Sequence, residues 1–259
     1  MPEDNLDFNL TKLARDDIEI PDRPELSVED ARHQQMMDKI AGYAKPSQQK
    51  NLTPVYTDYK TRETKIAFVM CPEWAPEFPP FNLARLSGIC KSAGYESRIW
   101  DLNIKAYNLH QEDWQPNKKL PFRLWDPSAS WHWLGDTYFN DIHHLLEPTL
   151  TTAIDEILEY EPDIVGFSQY YISEESTKWM CQELKRRNPD ILIAVGGSNV
   201  QKDWFHIFPY YDYVVTGEGE AAILSILEEI EDGERPTETK IVKQNEKERI
   251  NINGLPMPD

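Results

Sequence analysis

From Lys65 onward the chain alternates between short apolar runs and longer amphipathic stretches. "KIAFVM" (65–70), "YESRIWDLN" (95–103, ending as a strand at Asp101), "PDIVGFSQ" (162–169), "DILIAVGG" (190–197) and "DYVVTGEG" (212–219) have the length of strands, and most of them are nearly all apolar. Between them the apolar positions recur every three or four residues, as on one face of a helix. Leu83, Leu86, Cys90 and Ala93 do so in "FNLARLSGICKSAG", which Gly94 closes. Asp136 is expected to cap "TYFNDIHHLLEPTLTTAIDEILEY", a helix broken or kinked before Pro148. "SEESTKWMCQELKRRN" is a helix capped by Ser173, and "NVQKDWFHIFPYY" a short one. "EAAILSILEEIEDG" is a helix with Ile223, Leu227 and Ile230 turned inward.

Strands that are nearly all apolar are buried on both faces, which means a parallel sheet covered by helices. Five strand–helix units predict an α/β fold, a doubly wound, flavodoxin- or Rossmann-like five-stranded parallel sheet spanning 63–235. Three segments fall outside that rhythm. Residues 1–62 form an acidic N-terminal extension with one amphipathic helix starting at Ser27. Residues 103–135 form an irregular insert with Trp114, Trp125, Trp131 and Trp133. Residues 236–259 read as a small hairpin and an extended, Pro-containing exit, expected to lead into a further domain.

Charge narrows the partners. With 45 Asp and Glu against 27 Lys and Arg, the formal net charge is −18, so nucleic acid is not expected as a partner. No apolar run is long enough for a membrane span and no signal peptide opens the chain, so a cytoplasmic protein away from membranes is expected. Cys71, Cys90 and Cys181 are too far apart for a cysteine-based metal or iron–sulfur site, and no metal ligand set or catalytic residue is assigned.

In an open parallel sheet, ligands bind beyond the carboxyl ends of the strands. The loops at that edge are 71–80, 101–103, 168–172, 196–199 and 217–220. Gly196, Gly197 and Ser198 would let a bulky group approach the backbone. Ser168 and Gln169 offer neutral hydrogen-bonding groups, and Tyr170 an aromatic face. Gly217 and Gly219 bracket Glu218, which precedes its helix and is free to reach a ligand or a neighbouring domain, whereas Glu220 suits the helix start itself. The last three of these loops hold no basic residue before Lys202, which favours a large, mostly neutral ligand over a bare phosphate. A receiver-type phosphorylation site is disfavoured, because Met70-Cys71, Ser168 and Thr216-Gly217 stand where its acids and lysine would be.

The ordered set "PPFNLARLSGICKSAGYESRIWDLN", "PDIVGFSQYY", "LKRRNPDILIAVGGSNV", "DYVVTGEGEAAILSIL" and "INGLPMPD" resembles the N-terminal cobalamin (B12)-binding domain of radical SAM enzymes over residues 64–259. The resemblance implies a radical SAM barrel following this chain, which would carry the four-iron four-sulfur cluster and S-adenosylmethionine. Its substrate, a small molecule or a peptide, stays open. The resemblance also implies that Glu73, Trp74 and Pro76 lie at the lower face of a corrin, with Ser168 and Gly196–Ser198 along the slot for its nucleotide tail. One departure matters: the loop "CPEWAPEFPP" lacks the Asp-x-His-x-x-Gly motif that supplies an axial histidine, so a bound cobalamin would not be ligated by it. Two functions remain open. One is a cofactor-holding domain for methyl transfer or other radical chemistry, not catalytic alone. The other is a vestigial cobalamin-fold module without cofactor, serving substrate recognition or domain docking.

Overall fold

The computed structural model describes residues 61–111, 122–200 and 208–243. The expected Ser27 helix, most of the helix around residues 201–207 and the Pro-containing exit lie outside them. The elements run β1 (Lys65–Met70), α1 (Phe81–Ser92), β2 (Glu96–Asp101), α2 (Leu102–His110), a 3-10 helix (Pro127–Trp133), α3 (Gly135–Thr137), a π-helical turn (Tyr138–Ile142) and α4 (His143–Tyr160). Then follow β3 (Ile164–Ser168), α5 (Glu174–Arg187), β4 (Leu192–Gly196), β5 (Tyr213–Thr216), α6 (Gly219–Glu231) and β6 (Lys240–Lys243). The strands form one sheet in the order β2-β1-β3-β4-β5-β6, parallel throughout.

The doubly wound parallel α/β sheet is therefore present, with six strands rather than five. The added strand, β6, pairs with β5 in parallel, Tyr213 opposite Lys240 through Thr216 opposite Lys243. It lies where the expected hairpin would begin; the rest of that expectation falls outside the described residues. In sequence "KIVK" reads as part of a hairpin rather than as a sixth strand of the sheet, because it is short and mostly exposed.

Alternate strand residues feed two cores. Ile66, Phe68, Ile164, Ala194 and Val215 point to the face covered by α1 and α6, where Leu83, Ile223, Leu227 and Ile230 meet them. Ala67, Val69, Val165, Phe167, Ile193 and Val195 point to the opposite face, under α4, α5 and the insert. Gly94 closes α1 with a φ of 91°, a conformation that glycine adopts without cost.

Four local expectations need correction. The insert is not irregular from 103 on: Asp101 Oδ1 accepts from Ile104 N at 3.0 Å and starts α2. Asp136 sits inside α3 and caps nothing. Pro148 lies within α4, and the interruption comes earlier, at the π-helical turn before His143. Ser173 precedes α5 but makes no capping bond to it; instead its hydroxyl accepts from Tyr170 N at 3.0 Å. Among the described residues no helix is long and apolar enough to cross a membrane.

Candidate functional site

Parallel strands end at a common edge, so the loops after β3, β4 and β5 converge. The closest approach is backbone to backbone. Gln169 N donates to Gly196 O at 2.7 Å, next to the β3–β4 pair Ser168–Gly196. Gly197 then turns with a φ of 125°, and a Cβ there would stand 2.4 Å from Gln169 O. No other residue fits this position.

On one face the sheet is covered by α1 and α6, and between them a cleft of about 650 Å³ opens over β3 and β4. This is within the usual size of small-molecule sites. Gly166 keeps the floor low: a Cβ there would meet the Phe68 ring at 3.1 Å. Of the residues singled out from sequence, Ser168, Tyr170, Gly196 and Gly197 line the cleft, as do Ser198, Gly217, Glu218 and Gly219. Gly217 has a φ of 93° and turns the chain from β5 toward α6. Glu218 is exposed at the cap position of α6, where its side chain makes no capping bond.

The remaining four are placed otherwise. Gln169 is 2% exposed and its Oε1 accepts from the Tyr211 hydroxyl at 2.9 Å, so its amide is committed to the core. Trp74 stacks on Tyr170 with ring centroids 4.1 Å apart at 24°, outside the cleft lining but against it. Glu73 and Pro76 are half-buried in the same loop. Glu73 Oε2 is buried without a hydrogen bond, and burial pushes the carboxyl up to about 7. Burial likewise raises the Tyr170 phenol, with the Ser168 hydroxyl acting in the opposite direction.

The helical wall of the cleft was not anticipated. Asn82 Nδ2 donates to Ser168 Oγ at 2.6 Å, tying α1 to the end of β3. Arg85 Nε lies 3.1 Å from Glu220 Oε1, tying α1 to the first turn of α6. Leu86 packs where Gly219 leaves room, since a Cβ on Gly219 would stand 3.3 Å from Leu86 Cδ2. Asn82 and Arg85 read in sequence as ordinary helix surface. Only the packing of α1 beside α6 turns them toward a ligand.

A second unanticipated residue is Asn103, 2% exposed. Its Oδ1 accepts from Trp74 N at 3.0 Å and Trp125 Nε1 at 2.9 Å, and its Nδ2 donates to Trp74 O at 3.0 Å. It fastens the loop after β1 to the Trp-rich insert. Trp133 is fully buried with Nε1 donating to Leu124 O at 2.8 Å, so Trp125 and Trp133 anchor the insert. Trp131 is 56% exposed, and Trp114 lies outside the described residues.

The histidines stand elsewhere. His132 pairs with Asp141 at 2.5 Å and stacks on Phe122, and His143 packs on Tyr138 and Trp179. Among the described residues no group of three or more His, Cys, Asp or Glu side chains converges to hold a metal ion.

Residues 139–227 match the model of the B12 binding domain family. The matched stretch holds β3, β4 and β5 with their converging loops and enters α6; β1 and α1, the other side of the cleft, lie before it. No curated protein matches the chain. The residues present fit a cobalamin in part. Gly166, Gly196 and Gly197 line a cleft of about 650 Å³, whose size suits the slender nucleotide arm. At the loop after β1, a half-buried carboxyl and an indole stand where an axial imidazole is lacking.

Proposed function

We propose that this chain holds a cobalamin at the carboxyl edge of its sheet, as the cofactor-presenting domain of a radical SAM enzyme. The observation that carries the reading is the coincidence of the B12-family match with a glycine-floored cleft of about 650 Å³ at the ends of β3 and β4. Gly196, Gly197, Ser198 and Ser168 receive the nucleotide arm, with Gly217, Glu218 and Gly219 bounding it. Trp74, backed by Tyr170, offers an aromatic surface to the corrin, and Glu73 and Pro76 complete its lower face. Gln169 acts from behind by holding the loop after β3. When bound, the corrinoid cobalt supplies a site for methyl transfer or one-electron chemistry. The residues of this chain bind and orient it, and Glu73, its carboxyl pushed up to about 7 by burial, places no full charge beneath it at acidic pH. The four-iron four-sulfur cluster and S-adenosylmethionine belong to a following barrel, which would act on a small molecule or peptide.

Incubating the full chain with hydroxocobalamin and desalting it tests the cofactor part. A stoichiometric corrinoid spectrum in the protein fraction is expected; a colourless protein fraction would defeat it. An alternative is a vestigial cobalamin fold that recognises substrate through its insert. Exposed Trp131 favours it, whereas the anchoring of Trp125 and Trp133 favours a packing role.

A further inference from the structure

Arg85 is the single cationic side chain among the described residues that line the cleft. Its partner, Glu220, lies in the first turn of α6, where unpaired backbone N–H groups also favour negative charge. The pair is incomplete as a hydrogen bond. Nε is 3.1 Å from Glu220 Oε1, close enough for charge pairing, yet Nε is a buried donor with no acceptor in line. A guanidinium is satisfied best by two oxygens on one planar or tetrahedral anion, presented along its N–H directions. Glu220 offers the charge without that alignment.

From this geometry we infer that Arg85 is the anchor for an anionic group on the ligand, and that Glu220 is a built-in competitor for the same guanidinium. The inference rests on the corrinoid reading above, where the anion is the phosphodiester that joins the corrin side arm to the nucleotide base. Its two non-bridging oxygens match the guanidinium fork, and Arg85 lines the cleft between α1 and α6. Among the described residues the loops offer no basic residue to the cleft, as read from sequence, and the cation comes from a helix instead.

Hydroxocobalamin and cobinamide, a corrinoid without the phosphodiester and base, separate the terms. Titrations of the full chain, followed by absorbance, should show cobalamin bound more tightly than cobinamide. Arg85→Met should weaken cobalamin about tenfold or more, the scale of one lost charge-assisted hydrogen bond, and leave cobinamide within about twofold. Glu220→Gln should shift cobalamin the other way, toward tighter binding, because the competing charge is gone. Arg85→Lys should keep part of the preference and make it more sensitive to salt. A strut that only spaces α1 from α6 would behave differently: both substitutions would weaken both corrinoids alike. That result overturns the inference and leaves the corrinoid reading standing. Wild-type protein that binds neither corrinoid overturns both. If Arg85→Met does not fold, the opposite signs expected for Arg85→Lys and Glu220→Gln carry the same decision.

Discussion

The two sides of the cleft are built on different principles. The sheet side, at the ends of β3, β4 and β5, is made largely by backbone: glycines stand at 166, 196 and 197, and at 197 the loop after β3 comes so close that a Cβ would lie 2.4 Å from Gln169 O. The helix side is made by side chains, with Asn82 reaching Ser168 and Arg85 reaching Glu220. A backbone wall tolerates no added atom, whereas a side-chain wall can lose an atom and relax. The first should therefore govern whether the site forms and the second what it prefers.

Gly197→Ala is the harshest challenge to the sheet side. Its Cβ would lie 2.4 Å from Gln169 O in a backbone conformation that disfavours any side chain. A loss of more than about 3 kcal/mol is expected in denaturant unfolding, with loss of any corrinoid retention. A loss below about 1 kcal/mol would show that the two loops are not held as closely as described.

Asn82→Ala probes the helix side and should cost less. Removing the 2.6 Å bond to Ser168 is expected to lower stability by about 0.5–1.5 kcal/mol while the sheet stays intact by circular dichroism. If it matched Gly197→Ala in severity, the distinction between the two walls would collapse.

The smallest effect comes from the loop after β1, through pH. Glu73 keeps its proton in the folded protein up to about 7, against an ordinary value of 4.5. Between those values the unfolded chain gives up its proton first, so rising pH favours unfolding. The stability due to Glu73 is full below the lower value and lost by the time pH passes the upper one. Glu73→Gln should therefore be more stable than wild type by on the order of 1 kcal/mol at about pH 8, and near parity at about pH 4, the shift being discounted for partial solvent access. Equal stability profiles across that range would show that the carboxyl ionises freely.

How far the sequence could be read follows the same division. The runs around "IVGFS" and "LIAVG" were legible as parallel strands because burial on both faces leaves them apolar up to Ser168 at the end of the first. The glycines at their ends were legible as a close-approach edge because a glycine carries its meaning in its own backbone. Asn82, Arg85 and Asn103 were not. A polar residue on a helix has the same local pattern whether it meets water, a strand end or a tryptophan. The α2 helix was missed for a related reason: it buries only Leu102, Asn103 and Ala106, too few to leave a periodic signature.

By itself, then, the order of residues determined the strands, their shared edge and the bare floor of the slot, since these depend on local burial and on glycine geometry. Tertiary structure alone decided that α1 stands beside α6, which turns Arg85 toward Glu220 across the cleft and Gln169 away into the core. Those choices belong to pairs of residues far apart in the chain, and only packing brings such pairs within reach of one another.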